Sequence, residues 1–183
     1  MWVNLYQPSE LRWIEGANPV VMEQTTEYPE SGAVKLRLTA SRPVAFALRL
    51  RIPAWAGAGA TVRVNGQPAA VIAVKGFTTV QRMWRTGDVV ELDLPMSLRL
   101  EALLAEGGPW HLQTVALMYG PIVLFAIREP GEVGPLSMTS DALLGAERTG
   151  PREWRVKGPA SVRRMVPFTD VGEREYSTYV TLA

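Results

Sequence analysis

The sequence has no cysteine and a single histidine, His111. Without cysteine there is no disulfide, no thiolate nucleophile and no thiolate metal site. One histidine leaves no multi-histidine zinc or iron centre. Surplus charge is missing too: 19 Lys+Arg stand against 18 Asp+Glu, a net charge of +1. Such a chain lacks the basic excess with which nucleic-acid binders neutralise phosphates. It also offers an anionic membrane no basic face. No apolar run reaches the ~20 residues of a membrane-spanning helix. The opening, MWVNLYQPSELRWIEG, has no basic segment followed by an apolar one, so it does not read as a signal peptide and the cytoplasm is the default address. Helical periodicity is scarce. Met96–Glu106 alternates as a strand would, and Ser140–Gly145 is long enough for one short turn.

What is present is a period of two. Val34, Leu36 and Leu38 alternate with Lys35 and Arg37; Phe46, Leu48, Leu50 and Ile52 alternate with Ala47, Arg49 and Arg51. The same holds for Val62 and Val64, for Val90, Leu92 and Leu94, and for Leu98 and Leu100. Successive strand residues face opposite sides, so each segment has one apolar and one wet face. One-sided burial belongs to antiparallel sheets. The turn signals agree. Asn65-Gly66 is a favoured pair for a tight hairpin, because both central residues take positive φ. Thr86-Gly87-Asp88 and Ser31-Gly32 punctuate the chain in the same way, and Pro53 and Pro95 end strands. Trp2–Tyr6 alternates from the second residue with no polar lead-in, as a chain cut from a longer one would.

A composition shift at Ala105–Pro109 reads as a linker. Beyond it, Val115–Ile127 is apolar on both faces and broken at Gly120-Pro121, as buried strands are; it is too apolar for a sheet edge, which leaves room for sheets shared across the linker. Pro130–Pro159 is Gly/Pro-rich and loop-like, and strands return at Val162–Val166 and Tyr176–Leu182. The expected fold is all-β: antiparallel β-sandwiches of a jelly-roll kind, one module over residues 1–105 and a smaller one over 106–183.

Candidate chemistry is thin. Glu91 with Asp93, and Glu173 with Glu175, are i, i+2 carboxylate pairs, and two carboxylates can run glycoside hydrolysis. Nothing nearby would raise one partner's pKa, which that chemistry needs, so solvated faces account for them. His111 has no Ser-His-Asp partners around it. Arg49 and Arg51 on one strand face, Arg63 on a neighbouring strand, and Arg163-Arg164 read as surface charge or ion pairs. The tryptophans hold more interest. Trp55, Trp84 and Trp110 are the candidates for stacking on sugar rings, with Trp13, Trp154, Tyr6, Tyr28 and Tyr119 as further aromatics. Plugging strand ends is the alternative role for all of them. No catalytic, cofactor or metal-binding residue is assigned.

An ordered set of segments completes the picture. It runs Val3-Asn4-Leu5-Tyr6-x-Pro8-Ser9-Glu10-Leu11-x-Trp13, Thr26-x-Tyr28-Pro29, Leu48-Arg49-Leu50-Arg51-Ile52-Pro53-Ala54-Trp55, and Val64-Asn65-Gly66. It continues with Gly76-Phe77, Arg82-x-Trp84-x-x-Gly87-Asp88, Leu94-Pro95-Met96, Ala116–Pro121, Val166-Pro167-Phe168 and Tyr176-Ser177-x-Tyr179. Together these resemble the C-terminal part of glycoside hydrolase family 127 proteins, the β-L-arabinofuranosidase-like group. The resemblance is weakest over Gly131–Gly158. It implies an upstream (α/α)6 barrel carrying a glutamate acid/base and a zinc site of cysteines and a glutamate, one cysteine being the nucleophile. None of those residues has a counterpart here. The resemblance therefore implies a non-catalytic accessory β-sandwich region whose partner is the helical-barrel catalytic domain of a parent hydrolase. A surface left uncovered by that partner would favour a homo-oligomer of the isolated chain. The other implied role is a carbohydrate-binding module using Trp55, Trp84 and Trp110.

Overall fold

The structure, a computed structural model, describes residues 1–103, 113–158 and 161–183. The chain divides into two compact units, Met1–Met96 and Ser97–Ala183. The composition shift suggests a boundary near residue 105, but strand pairing moves it: Leu98–Ala102 pairs antiparallel with Thr114–Tyr119 and so belongs to the second unit. Ala105–Pro109, Trp110 and His111 lie outside the described residues. Among the described residues no helix is long and apolar enough to cross a membrane.

The first unit holds β1 (Trp2–Val3), β2 (Ser9–Glu15), β3 (Asn18–Thr26), β4 (Ala33–Ala40), β5 (Val44–Arg51), β6 (Thr61–Val64), β7 (Gln67–Ala69), β8 (Phe77–Trp84) and β9 (Val89–Asp93). They form a six-stranded sheet, β2-β3-β4-β9-β6-β7, and a three-stranded sheet, β1-β5-β8. All neighbours are antiparallel except β1 and β5. The period of two does what it should. Val34, Leu36 and Leu38 are buried while Lys35 and Arg37 are exposed. The inward faces of both sheets meet in one core, with Val20, Leu36, Leu38, Val62 and Leu92 from the larger sheet and Leu48, Leu50 and Trp84 from the smaller. Each such leucine contributes about 1.5–3 kcal/mol by leaving water.

Turn chemistry sets the register. Asn65 (φ 53°) and Gly66 (φ 77°) close the β6–β7 hairpin in the left-handed conformation the pair favours. Ser31-Gly32 lies in the β3–β4 connection. Thr86-Gly87-Asp88 departs from the hairpin pattern. β8 pairs with β5, whereas β9 pairs with β4 and β6, so this turn carries the chain from one sheet to the other. It is held by the end of β4: Gly87 N–H donates to the Leu38 carbonyl (2.8 Å), and Leu38 N–H to the Asp88 carbonyl (2.9 Å).

The second unit holds β10 (Leu98–Ala102), β11 (Thr114–Tyr119), β12 (Ile122–Ile127), β13 (Ser137–Met138), α1 (Ser140–Leu144), β14 (Glu147–Gly150), β15 (Glu153–Lys157), β16 (Val162–Pro167), β17 (Tyr176–Ser177) and β18 (Val180–Leu182). They form one branched sheet with β13-β18-β11-β12-β16-β15-β14 as its spine; β10 pairs with β11 and β17 with β12. Among the described residues each sheet draws its strands from one unit only. Gly120-Pro121 links β11 to β12 as a two-residue hairpin. Val115, Ala116, Leu117 and Met118 are all buried, so both faces of β11 are covered. Leu143 of α1 is buried in the core beside Leu117, Leu124, Trp154 and Val156. The Gly/Pro-rich stretch contains more order than its composition suggests, because Glu147–Lys157 forms a hairpin that buries Trp154 and Val156.

Candidate functional site

The aromatic candidates separate cleanly by burial. Trp84 is 1% exposed, its indole N–H donates to the Phe46 carbonyl (2.9 Å), and its ring stacks on Phe46 at 5.4 Å. It is a core residue, and the expectation that it contacts sugar is corrected: alternation along β8 points it inward. Trp154 is likewise buried. Trp13 is half-buried, edge-on to Phe46 at 5.7 Å. Trp110 lies outside the described residues. Trp55 remains. It sits in the turn Ala54–Gly59, half-buried, packed on the core of the first unit yet open to solvent.

Trp55 does not stand alone. It lines a surface cleft of about 240 Å³ with Asn4, Tyr6, Tyr28 and Arg51. Four separate stretches build this cleft. Asn4 and Tyr6 follow β1, Tyr28 comes from the β3–β4 connection, Arg51 ends β5, and Trp55 follows the strand-ending Pro53. Tyr6 is 5% exposed and its hydroxyl donates to the Arg51 carbonyl at 2.5 Å. Tyr28 meets the Tyr6 ring edge-on at 6.0 Å. Burial, and then the neighbouring Tyr28, push the Tyr6 phenol well above its ordinary value against the opposing charge and hydrogen bond of Arg51. Burial raises Tyr28 as well, again against Arg51. Both are therefore neutral hydroxyls at physiological pH. Among the described residues no protein group hydrogen-bonds the Tyr28 hydroxyl, the Asn4 side chain or the Arg51 guanidinium.

The two acid pairs occupy different settings. Glu91 and Asp93 lie on the exposed face of β9, where Glu91 stands opposite Lys35 of β4 and Arg63 of β6. They line a groove of about 470 Å³ on the outer face of the six-stranded sheet. This is a cross-strand row of alternating charge. Glu173 and Glu175 are exposed in the turn before β17 rather than on a strand, so strand spacing does not relate them.

Three carboxyls elsewhere titrate below their ordinary range. Burial opposes the shift at Asp88, but the Asn65 amide (2.8 Å), the Arg85 N–H (2.9 Å) and the charges of Arg82 and Arg85 overcome it. Glu132 is gripped by the Arg163 fork at 2.7 and 2.8 Å and takes the Glu129 N–H. Glu153 is opposed by desolvation and held down by Arg164 at 2.8 Å, Thr149 and Arg155. All three are fixed in the ionised form, the opposite of what a general acid requires.

The arginines also separate. Arg49 and Arg51 lie on the three-stranded sheet and Arg63 on the six-stranded one, so they make no shared patch. Arg163 and Arg164 turn to different partners, Glu132 and Glu153. One exposed apolar region escapes the sequence pattern. Trp2, Ile72 and Val74 are 57%, 72% and 66% exposed, and with Arg49 and Phe77 they border a groove of about 740 Å³. Ile72 and Val74 belong to no strand, so no periodicity marks them.

An all-β protein with a sandwich unit and an aromatic-lined surface cleft is thus defined. Comparison with known proteins narrows this class. Residues 1–96 match the family described as β-L-arabinofuranosidase, GH127 middle domain, and the chain belongs to that family. The family that the sequence segments resemble is thereby shown. A similar curated protein is the non-reducing end β-L-arabinofuranosidase of Bifidobacterium longum subsp. longum, 29% identical over 141 residues, covering 73% of this chain and 21% of that protein. Among solved structures, a chain described as a glycoside hydrolase superposes with a TM-score of 0.79 at 25% identity, covering all of this chain and 36% of its own length. A GH127 β-L-arabinofuranosidase from Geobacillus stearothermophilus T6 shares the fold with a TM-score of 0.72 at 24% identity, over 100% of this chain and 33% of that one. The chain thus spans about a fifth to about a third of the relatives it matches.

Proposed function

We propose that this chain is the non-catalytic β-sandwich region of a longer glycoside hydrolase of the β-L-arabinofuranosidase type, and that it supports that protein's helical-barrel catalytic domain. The observation that carries this reading is the family match over residues 1–96, joined to the superposition of the whole chain on 36% of a glycoside hydrolase. The site chemistry supports it. Asp88, Glu132 and Glu153 serve as acceptors for arginines and turn amides, not as proton donors. Trp2, Ile72 and Val74 supply exposed apolar surface for the partner domain. The test is direct. The purified chain is incubated with an aryl β-L-arabinofuranoside beside a mock purification. No release above the mock is expected, and arabinose release by the chain overturns the proposal.

A further inference from the structure

The geometry points to a second role for the first unit: the cleft of Asn4, Tyr6, Tyr28, Arg51 and Trp55 is a binding subsite for one sugar ring of a glycan. Three features converge there. The first is aromatic surface. Trp55 is half-buried and lines the cleft, and Tyr28 lines it too, edge-on to Tyr6 at 6.0 Å. An indole or phenol face offers the flat apolar area that the C–H face of a sugar ring covers. The second is unspent polar capacity. The Tyr28 hydroxyl, the Asn4 amide and the Arg51 guanidinium line the same cleft, and none has a hydrogen-bond partner among the described residues. Between them they provide donors and acceptors, the mixture that vicinal hydroxyls need.

The third feature is preorganisation. The buried Tyr6 hydroxyl ties the stretch after β1 to the Arg51 carbonyl at the end of β5, so the floor of the cleft is fixed before any ligand arrives. Pro53 fixes the turn that presents Trp55. A rigid site loses less on binding. The volume, about 240 Å³, lies below that of sites for drug-sized ligands and suits a single ring at the end of a chain.

This inference stands on the cleft itself. Only the choice of an arabinose-bearing first probe rests on the proposed parent activity. The 183-residue chain is titrated with arabino-, xylo-, galacto- and gluco-oligosaccharides, and with arabinitol as a ringless polyol, by saturation-transfer NMR and calorimetry. The expected result is saturable binding of at least one oligosaccharide in the millimolar range and none of arabinitol. Trp55→Ala should weaken binding about tenfold by removing the stacking face. Tyr28→Phe and Arg51→Gln should each weaken it about threefold, the loss of one hydrogen bond. Those two variants remove exposed polar atoms and leave the packing in place, so their melting temperatures should match the parent. Absence of saturation with every sugar, equal binding of arabinitol, or binding unchanged in all three variants overturns the proposal. None of these outcomes bears on whether the chain hydrolyses arabinofuranosides, so the two readings fail separately.

Discussion

Asp88 shows how much a single residue can organise. It is 8% exposed, yet its carboxylate accepts from the side-chain amide of Asn65 in one turn and from the backbone N–H of Arg85 in another, while the Asn65 side-chain oxygen Oδ1 accepts from Val89 N–H at 2.8 Å. The hairpin turn and the sheet-switching turn are thereby locked together. Its folded pKa lies below the unfolded value, so the stability it contributes is full above the unfolded pKa of about 3.9 and is lost as pH falls through the folded value. Asp88→Asn should cost about 1–3 kcal/mol at neutral pH, because donors built for a carboxylate lose part of their partner. The variant should also show a shallower loss of stability as pH falls below about 4. Denaturant melts of both proteins across that range check this; parallel pH curves would remove Asp88 as the titrating contact. Nothing in the spacing of Asn65 and Asp88 announces the pair. Only the return of β9 alongside β6 brings them together, and the same holds for Tyr6, Tyr28 and Trp55 in the cleft. Trp55 was legible as a strand-end aromatic after Pro53; its neighbours came from stretches distant in sequence.

At the scale of elements, local pattern and pairing part company. Alternation identifies β4, β5, β6 and β9 almost residue by residue, since each has one face in the core. Pairing is not local. Thr86-Gly87-Asp88 has hairpin composition, but the Asp88 and Leu38 backbones pair across it and send β9 into the other sheet. Glu147–Lys157 escapes notice for another reason: Gly150, which ends β14, and Pro151, in the turn to β15, look like loop composition. Two glycines distinguish conformational from steric demand. Gly66 has φ 77° and open space where a Cβ would stand, so Gly66→Ala should cost about 1–2 kcal/mol of left-handed strain. Gly32 lies against the end of β9. A Cβ there would fall 1.8 Å from the Leu94 carbonyl oxygen, and the Gly32 carbonyl accepts the Leu94 N–H at 3.1 Å. Backbone must move to admit a methyl, so Gly32→Ala should cost about 3 kcal/mol or more. Chemical denaturation of both variants should rank Gly32→Ala as the more damaging; the reverse order would mean that β9 can shift without loss.

At the scale of the whole molecule, the two units differ in how they satisfy the same requirement. The first buries the inner faces of two sheets against each other, and its core residues run from Tyr6 to Leu94. The second folds one branched sheet around Leu143 of a five-residue helix, and its buried core residues run from Val115 to Val180. Among the described residues the two cores share no buried side chain and each sheet stays within one unit. A domain needs its own core and a boundary that few contacts cross. The family match ends at residue 96, the same place as the first unit. A fragment of residues 1–96 should therefore fold without the remainder. It should give a strand-dominated circular dichroism spectrum, dispersed amide resonances and one cooperative thermal transition. The Asp88 contacts lie inside this fragment, so its acid sensitivity should persist there and vanish in Asp88→Asn. Collapsed amide resonances in the fragment would show that the first sandwich depends on residues beyond Met96. The sugar titration would then belong to the complete chain alone.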